Sequence, residues 1–428
     1  MTQPQSQQFC CQTSPRSPAP RELPEGWRWV RLGEACSLSK GRTPREDWYA
    51  DCGAWLVRFR DVTPTGITWQ PGFRTFVSRA YEPELRPLLP ETVLLTADAH
   101  DPASIGRKFA FVSEIPLHAQ PAYYSGELLG IRSRDVSVVL PVWPLYWLAS
   151  AEGHRAVQDA VSGVHLNVGR AHGIPVPLPP LPEQQRIAAA LQDQMTAVDR
   201  ARAAAEEQVG AARALPAAYL REVFESEQAR GWQKKRIEDF AETCSGSTPS
   251  RSRSDYYGGD IPWVKTGELR DGTIVDTEEH VTRSAVDSWG LRLLPAGTLL
   301  VAMYGQGQTR GRTALLAANA TINQACFAIL PRPDDFDTRY LQLWFQYSYE
   351  RLRRETEGRG GSQPNLNGLF LRRLTVPLPP VAAQRELAAA LTERITLARN
   401  LRERVQEQHA MLDIVPSSLL HRAFRGEL

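Results

Sequence analysis

Two stretches of the chain have the apolar spacing of long amphipathic helices. Residues 183–213 and 383–412 contain no proline, almost no glycine and many strong helix formers. In both, apolar residues recur every three or four positions, namely Ile187, Leu191, Val198, Ala205, Val209 and Ala212, and then Leu387, Leu391, Ile395, Ala398, Leu401, Val405 and Met411. A stripe this narrow predicts two helices that pair with each other, most simply antiparallel. The alternative is that each stripe packs on its own globular domain. Pro216 and Pro416 are expected to kink or break each helix before a last short one.

The rest of the chain alternates short apolar runs with turn residues. Runs at 92–97, 297–304 and 326–330 are typical of buried strands, and 336–354 has the pattern of a helix. This mixture predicts α+β domains with small sheets.

The sequence contains a duplication. IPVPLPPLPEQQRIAAAL (174–191) aligns with LTVPLPPVAAQRELAAAL (374–391), and residues 26–44 resemble 231–249. The ends of the two halves match better than the middles. A period of this length indicates a two-copy domain duplication and not a solenoid. The predicted organisation is a disordered tail (1–23), a first domain (24–182), a first long helix (183–227), a second domain (228–382) and a second long helix (383–428).

Composition restricts the class of protein. The 428 residues are 42% hydrophobic and 23% charged, which is ordinary for a globular chain of two or three domains and excludes fibrous and wholly disordered proteins. No apolar run is long enough to predict a membrane span, and the N-terminus does not have the pattern of a secretory signal. Six scattered cysteines then favour a reducing, cytoplasmic location. With a net charge of +2, any nucleic-acid surface must be local or completed by a partner.

Motifs for catalysis are missing from the sequence. There is no GxxxxGK[ST] phosphate loop, no N/D-P-P-Y/F methyltransferase motif and no close histidine pair for a metal. The glycines at 305 and 307 are interpreted as part of a strand–loop–strand hairpin and not of a cofactor loop. Trp55 and Trp263 are expected in the core. The chain is therefore expected to be non-catalytic.

Several motifs resemble the specificity subunit of type I restriction-modification systems. They are the duplicated halves, the PLPP start of each long helix, HRAFRGEL (421–428), SGSTPSRSRSDYYGGDIPWVKTGEL (245–269) and LPAGTLLVAMYGQGQTRGRTALL (294–316). The resemblance covers residues 24–428 and departs from the family pattern at 97–108. It implies an α+β fold with two duplicated target recognition domains separated by two long antiparallel coiled-coil helices.

The same resemblance implies partners. Each domain would read one half of an asymmetric, bipartite site in double-stranded DNA. The helices would dock two modification (adenine-N6 methyltransferase) subunits, and restriction/translocase subunits would join them. No cofactor is expected in this chain, because the partners would use S-adenosylmethionine, ATP and Mg. The alternatives are a coiled-coil scaffold and a freestanding DNA-acting enzyme.

Candidate DNA-contact residues follow from side-chain chemistry, since arginine pairs with guanine or phosphate, glutamine pairs with adenine, and short hydroxyls bind phosphate. In the second half they are Ser247, Thr248, Arg251, Arg253, Lys265, Gln306, Gln308, Thr309, Arg310 and Arg312. In the first half they are Lys40, Arg42, Arg45, Arg58, Arg60, Arg107 and Lys108. Arg359, Gln363 and Asn365 lie in a segment that resembles the family's return to the helix. The alternative for all of these is an ordinary solvated loop.

Overall fold

A computed structural model describes residues 22–63, 66–305, 307–357 and 366–428. Residues 1–21 of the tail that is predicted to be disordered (1–23) lie outside the described part of the chain. The chain divides into two compact units, one of residues 1–203 with 409–428 and one of residues 204–408. The division therefore falls within both long helices.

The first unit is built from short strands followed by helices. Its strands are β1 (Arg28–Arg31), β2 (Cys36–Lys40), β3 (Tyr49–Ala50), β4 (Ala54–Val57), β5 (Val62–Thr63), β6 (Gly66–Ile67), β7 (Phe76–Val77), β8 (Arg86–Pro87), β9 (Thr92–Thr96), β10 (Phe109–Val112), β11 (Ala122–Tyr124), β12 (Leu128–Ser133) and β13 (Pro175–Leu178). Its short helices are α1 (Leu32–Ala35), α2 (Trp143–Ala149), α3 (Ala151–Ala160) and α4 (Val168–His172).

The long helix α5 (Leu181–Phe224) leads into the second unit. The strands of that unit are β14 (Gln233–Arg236), β15 (Thr243–Ser245), β16 (Tyr257–Val264), β17 (Gly272–Ile274), β18 (His280–Val281), β19 (Leu299–Ala302), β20 (Thr313–Leu316), β21 (Thr321–Ile322), β22 (Cys326–Ile329) and β23 (Thr375–Leu378). The remaining helices of the chain are α6 (Glu227–Arg230), α7 (Ile237–Phe240), α8 (Arg283–Trp289), α9 (Thr338–Glu355), α10 (Gly368–Arg372), α11 (Val381–Leu412) and α12 (Val415–Ala423). The strands and the helix predicted from the apolar runs are confirmed.

The two units share one topology. A sheet in the first unit has the strand order β10-β9-β12-β2, and the second unit has β20-β19-β22-β15, with β17 added at its edge. Each unit also has one parallel pair that begins at a buried tryptophan: Trp55 of β4 faces Ala122 of β11, and Trp263 of β16 faces Thr321 of β21. The middles of the two halves therefore keep a common strand order where their sequences have diverged, and both tryptophans lie in the core as predicted.

Of the two prolines expected to kink or break a helix, only the second lies next to a break. Pro216 does not end α5, which continues to Phe224, whereas a turn at residues 413–414 separates α11 from α12 and places Pro416 in the first turn of α12. A proline inside a helix removes one backbone hydrogen bond. The alanine-rich sequence around Pro216 favours the helix, while Asp413 and Ile414 are weaker helix formers.

The predicted helix pairing is present inside each unit. In the first unit, Arg202 of α5 donates to the carbonyl oxygen of Leu412 at 3.2 Å and lies 3.0 Å from the carboxylate of Asp413. In the second, Arg394 of α11 lies 2.7 Å from the carboxylate of Glu222, near the end of α5. In both units a later part of one helix meets an earlier part of the other, as antiparallel packing requires.

The stripe predicted for α11 is wrong at two positions. Ala398 and Val405 are buried, but Leu401 is 50% exposed and Met411 is exposed too. The side chain of Arg402 is partly buried, so the inward face passes through position 402. Position 402 follows 398 by four residues and precedes 405 by three, which is the spacing of one helix face.

Each helix end packs on a globular core. Phe424 is 1% exposed and makes edge-to-face contacts with Trp27, Trp143 and Trp147 of the first unit, with ring centroids 5.1–6.5 Å apart. The ring centroid of Phe224, at the end of α5, lies 5.6 Å from that of Tyr340 in the second unit. The alternative that each stripe packs only on its own domain is therefore wrong, because the ends of α5 and α12 belong to cores formed by the other half of the sequence.

Buried glutamines in the PLPP motifs fix the start of each long helix. The Gln184 side chain accepts from the Leu140 amide at 2.8 Å and donates to the carbonyl oxygens of Val138 and Pro179 at 2.8 and 2.9 Å. The equivalent Gln384 accepts from the amide of Asp337 at 3.0 Å and donates to the carbonyl oxygen of Pro379 at 2.8 Å. In each unit, one glutamine side chain thus connects the start of the long helix to the end of the preceding strand and to the segment that leads into α2 or α9.

Candidate nucleic-acid interface

The hairpin loop between β19 and β20 presents polar groups on a glycine-rich backbone. The two strands are antiparallel, which confirms the predicted strand–loop–strand hairpin. Gly305, Gly307 and Gly311 all have positive φ angles, which residues with a side chain rarely adopt. The side chain of Gln308 is exposed and Thr309 is partly exposed. The side-chain amide of glutamine at such a position offers both the donor and the acceptor needed to pair with an adenine edge.

Arg310 has a different position from the one expected of a surface contact. It is 5% exposed, and its guanidinium donates to the carbonyl oxygens of Thr356 and Arg353 at 3.4 and 3.3 Å. Burial is the main cause that lowers the pKa of this guanidinium, followed by the nearby Arg353. The guanidinium of Arg310 thus supplies donors to the carboxyl end of α9 and is not exposed on the loop, as the predicted DNA contact would require.

Arg312 is partly exposed and forms an ion pair. It forms an ion pair with the carboxylate of Asp271, and its guanidinium lies 4.5 Å from the ring centroid of Tyr349. Asp271 has a positive φ of 62° and also accepts from the amide of Thr313 at 3.0 Å. The carboxylate and the ring together fix the direction of Arg312.

A second group of predicted residues surrounds Glu279. Arg251 lies 2.6 Å and Lys265 2.9 Å from its carboxylate, and these two cations hold the pKa of Glu279 at about 2. The guanidinium of Arg251 also lies 4.4 Å from the ring centroid of Tyr257. The carboxylate therefore stays ionised and offsets part of the positive charge near these residues.

The other members of the group have local partners. Arg253 forms a two-point pair with Asp255 at 2.8 and 2.7 Å. The Ser247 hydroxyl accepts from the indole of Trp289 at 3.0 Å, and Thr248 is hydrogen-bonded to the side chain of Gln324. Ser247 and Thr248 thus stabilise the loop by their own contacts.

The predicted cations of the first unit follow the same pattern of pairing. Lys40 lies 2.7 Å from Asp98, Arg42 lies 2.7 Å from Glu84, and Arg58 lies 3.8 Å from Glu127. Arg45 is exposed over the ring of Trp48, and Arg60 contacts Asp61 at 3.5 Å and the carbonyl oxygen of Phe73. Exposed ion pairs contribute little to stability, so a phosphate can replace a carboxylate partner at small cost.

Arg107 and Lys108 end the segment at which the first half departs from the family pattern. Arg107 is exposed, and the ammonium of Lys108 lies 4.2 Å from the ring centroid of Phe59. This segment joins β9 to β10, as the glycine-rich loop joins β19 to β20. The topology therefore assigns the two dissimilar segments to equivalent places.

Four predicted residues lie outside the described part of the chain. They are Gln306, Arg359, Gln363 and Asn365.

Sequence reasoning missed the residues that support the loops. Asp271, Tyr349 and Arg353 contact the second loop, and Gln158 contacts the first. All are distant in sequence from the loop that they hold. No local pattern in the sequence identifies these contacts, because they form only when the helices pack against the loops.

Two kinds of feature are absent from the described residues, a cluster of metal-binding side chains and a membrane-spanning helix. They contain no group of three or more histidine, cysteine, aspartate or glutamate side chains that could hold a metal ion. None of their helices combines the length and the apolar character needed to cross a membrane.

Residues 229–407 match the family described as "Type I restriction modification DNA specificity domain". This range lies within the second unit and covers most of it.

Relatives extend the resemblance to the rest of the chain. The MjaIX specificity subunit of Methanocaldococcus jannaschii is 30% identical over 167 residues, covering 38% of each chain. The StySPI specificity subunit of Salmonella potsdam is 19% identical over 434 residues, covering 95% of this chain and 90% of its own. This chain thus spans about two fifths of the first relative and nearly all of the second.

Solved structures show the same fold. A chain from a study of complex assembly and conformational transition in the type I R-M system has a TM-score of 0.72 at 21% identity, covering 96% of this chain and 100% of its own. The HsdS subunit from Thermoanaerobacter tengcongensis has a TM-score of 0.66 at 20% identity, with 96% and 99% covered. The predicted resemblance to type I specificity subunits and the predicted α+β fold class are confirmed.

Proposed function

We propose that this chain is the DNA-sequence-specificity subunit of a type I restriction-modification complex. Its two units would each bind one half of an asymmetric, bipartite site in double-stranded DNA. The observation that carries the proposal is the repeated topology with unlike loops, 97–108 in one unit and 303–312 in the other. One chain with two different readers gives a site without a palindrome, whereas two identical readers related by symmetry give a palindrome.

The partners follow from the same proposal. The long helices would dock two adenine-N6 methyltransferase subunits, since the duplication offers each structural feature twice, and restriction/translocase subunits would join them in the cytoplasm. S-adenosylmethionine, ATP and Mg would be bound by those partners. This chain itself would supply DNA recognition and no catalysis.

The experiment compares methylated adenines in the genome of cells that carry this gene with those in cells from which it is deleted. We expect a two-part, non-palindromic motif to lose methylation on deletion and to regain it when the gene is restored. A gene with the second unit exchanged for that of another specificity subunit should change one half of the motif only. A motif unaffected by deletion, or a palindromic one, would contradict the proposal.

A further inference from the structure

The two loops return to their sheets through the same backbone turn. In the first unit, Gly106 has a φ of 74° and its amide donates to the carbonyl oxygen of Thr96 at 2.9 Å. In the second, Gly311 has a φ of 86° and its amide donates to that of Ala302, also at 2.9 Å. Thr96 and Ala302 are the last residues of β9 and β19. We name residues 102–108 the first turn and residues 307–312 the second turn.

A helix holds each turn at the same carbonyl group. Gln158 donates its side-chain amide to the carbonyl oxygen of Ile105 at 2.6 Å. Arg353 donates to that of Arg310 at 3.1 Å. Both accepting residues come immediately before the left-handed glycine. The hydrogen bonds thus fix the peptide that sets the direction of the turn.

The donors lie on the helices that pack against the two turns. Gln158 is near the end of α3, and Arg353 is near the end of α9. The glycines lie against these helices, because a β-carbon on Gly106 would be 2.6 Å from Val157 and one on Gly311 would be 3.4 Å from the ring of Tyr349. One backbone geometry is therefore supported by an amide in one unit and by a guanidinium in the other.

The second turn is held at a further point. Arg353 also donates to the carbonyl oxygen of Gly307 at 2.9 Å, and the Tyr349 hydroxyl donates to that of Gln308 at 2.6 Å. Tyr349 and Arg353 are four residues apart on one face of α9. This face therefore contacts three carbonyl groups of the turn, those of Gly307, Gln308 and Arg310.

We propose that Gln158 and Arg353 are equivalent positioning residues, each of which fixes the DNA-reading turn of its own unit. The inference rests on the proposed function, in which Arg107, Gln308 and Arg312 contact DNA from these turns. A turn that is held in place presents its side chains in one geometry, which fits one base, whereas a turn that is free to move can adapt to other bases. Each positioning residue therefore determines the sequence discrimination of one half-site.

The test measures methylation by the complete complex with two sets of DNA duplexes, each with one half of the site varied. Gln158→Ala should lower discrimination at one half-site about ten-fold, and Arg353→Ala should lower it equally at the other half-site. A ten-fold change is about the penalty for one mismatched base pair. Asp159→Ala and Arg354→Ala are the matched controls, since each changes the exposed next residue of the same helix. Arg353→Gln places the donor of the first unit in the second and should restore part of the discrimination.

The outcomes separate positioning from general stability. Equal losses at both half-sites, unchanged discrimination, or losses of the same size in the controls would each overturn the inference. Thermal unfolding of each variant complex identifies those that fail to fold, and for these Arg353→Gln and Gln158→Asn provide milder changes with the same readout. An unsubstituted complex that prefers no bipartite sequence would instead refute the proposed function.

Discussion

A single buried side chain fixes the geometry at the start of each long helix. Gln184 is 0% exposed and bonds to one amide and two carbonyl groups, so its removal would take a partner from three backbone groups, of which the Pro179 carbonyl is buried. Gln384 has the same role in the second unit, with two such bonds. Buried polar groups are costly mainly when one partner is removed.

Gln184→Ala should therefore lower the free energy of unfolding by about 2–3 kcal/mol. Gln185→Ala changes the exposed neighbour and should have almost no effect. Urea denaturation, followed by tryptophan fluorescence, measures both. Equal midpoints for the two variants would show that the buried hydrogen bonds do not stabilise the helix start.

The position of Arg310 changes what its substitution is expected to do. Because its guanidinium satisfies carbonyl groups at the end of α9, Arg310→Ala should destabilise the second unit by about 1–3 kcal/mol. Arg354→Ala on the same helix is the exposed control. Thermal unfolding measures both variants. Equal melting temperatures for Arg310→Ala and Arg354→Ala would show that the buried hydrogen bonds of Arg310 do not stabilise the unit.

At the scale of elements, the sequence predicted what periodicity and turn chemistry control. The two long helices, the strands at 92–97 and 326–330 and the loop that joins β19 to β20 follow from local patterns. The path of α5 through Pro216 and the exposure of Leu401 do not, because both depend on which neighbours pack against the helix. Arg310 was misplaced for the same reason, since nothing near it in sequence identifies the helix end that it contacts.

The docking of α12 on the first unit depends on one aromatic side chain. Phe424 is surrounded by three tryptophans, and replacing it with alanine should cost about 3–5 kcal/mol through the cavity that remains. Phe424→Leu, which keeps most of the volume, should cost less. Unfolding monitored by tryptophan fluorescence reports on this cluster directly. An alanine variant as stable as the leucine variant would mean that α12 contributes little to the core.

At the scale of the whole molecule, the chain passes between the two units twice, once within α5 and once within α11. α5 has 44 residues and would measure about 66 Å at 1.5 Å per residue. Under the proposed function, the helices set the number of base pairs between the two halves of the DNA site. A stiff helix transmits a change of length, whereas a flexible linker would absorb it.

Seven residues inserted after Gln208 of α5 and seven after the equivalent Gln408 of α11 should therefore shift the spacing. A heptad keeps the apolar seam in phase and adds about 10 Å, or roughly three base pairs at 3.4 Å each. An insertion in α5 alone should instead put the paired helices out of register and destabilise the chain. Methylation of a duplex series with graded spacers measures the optimum. If the matched variant is folded and active but keeps the original spacing, the distance between the half-sites must be set by another part of the complex, because both helices would have lengthened without moving the readers on DNA.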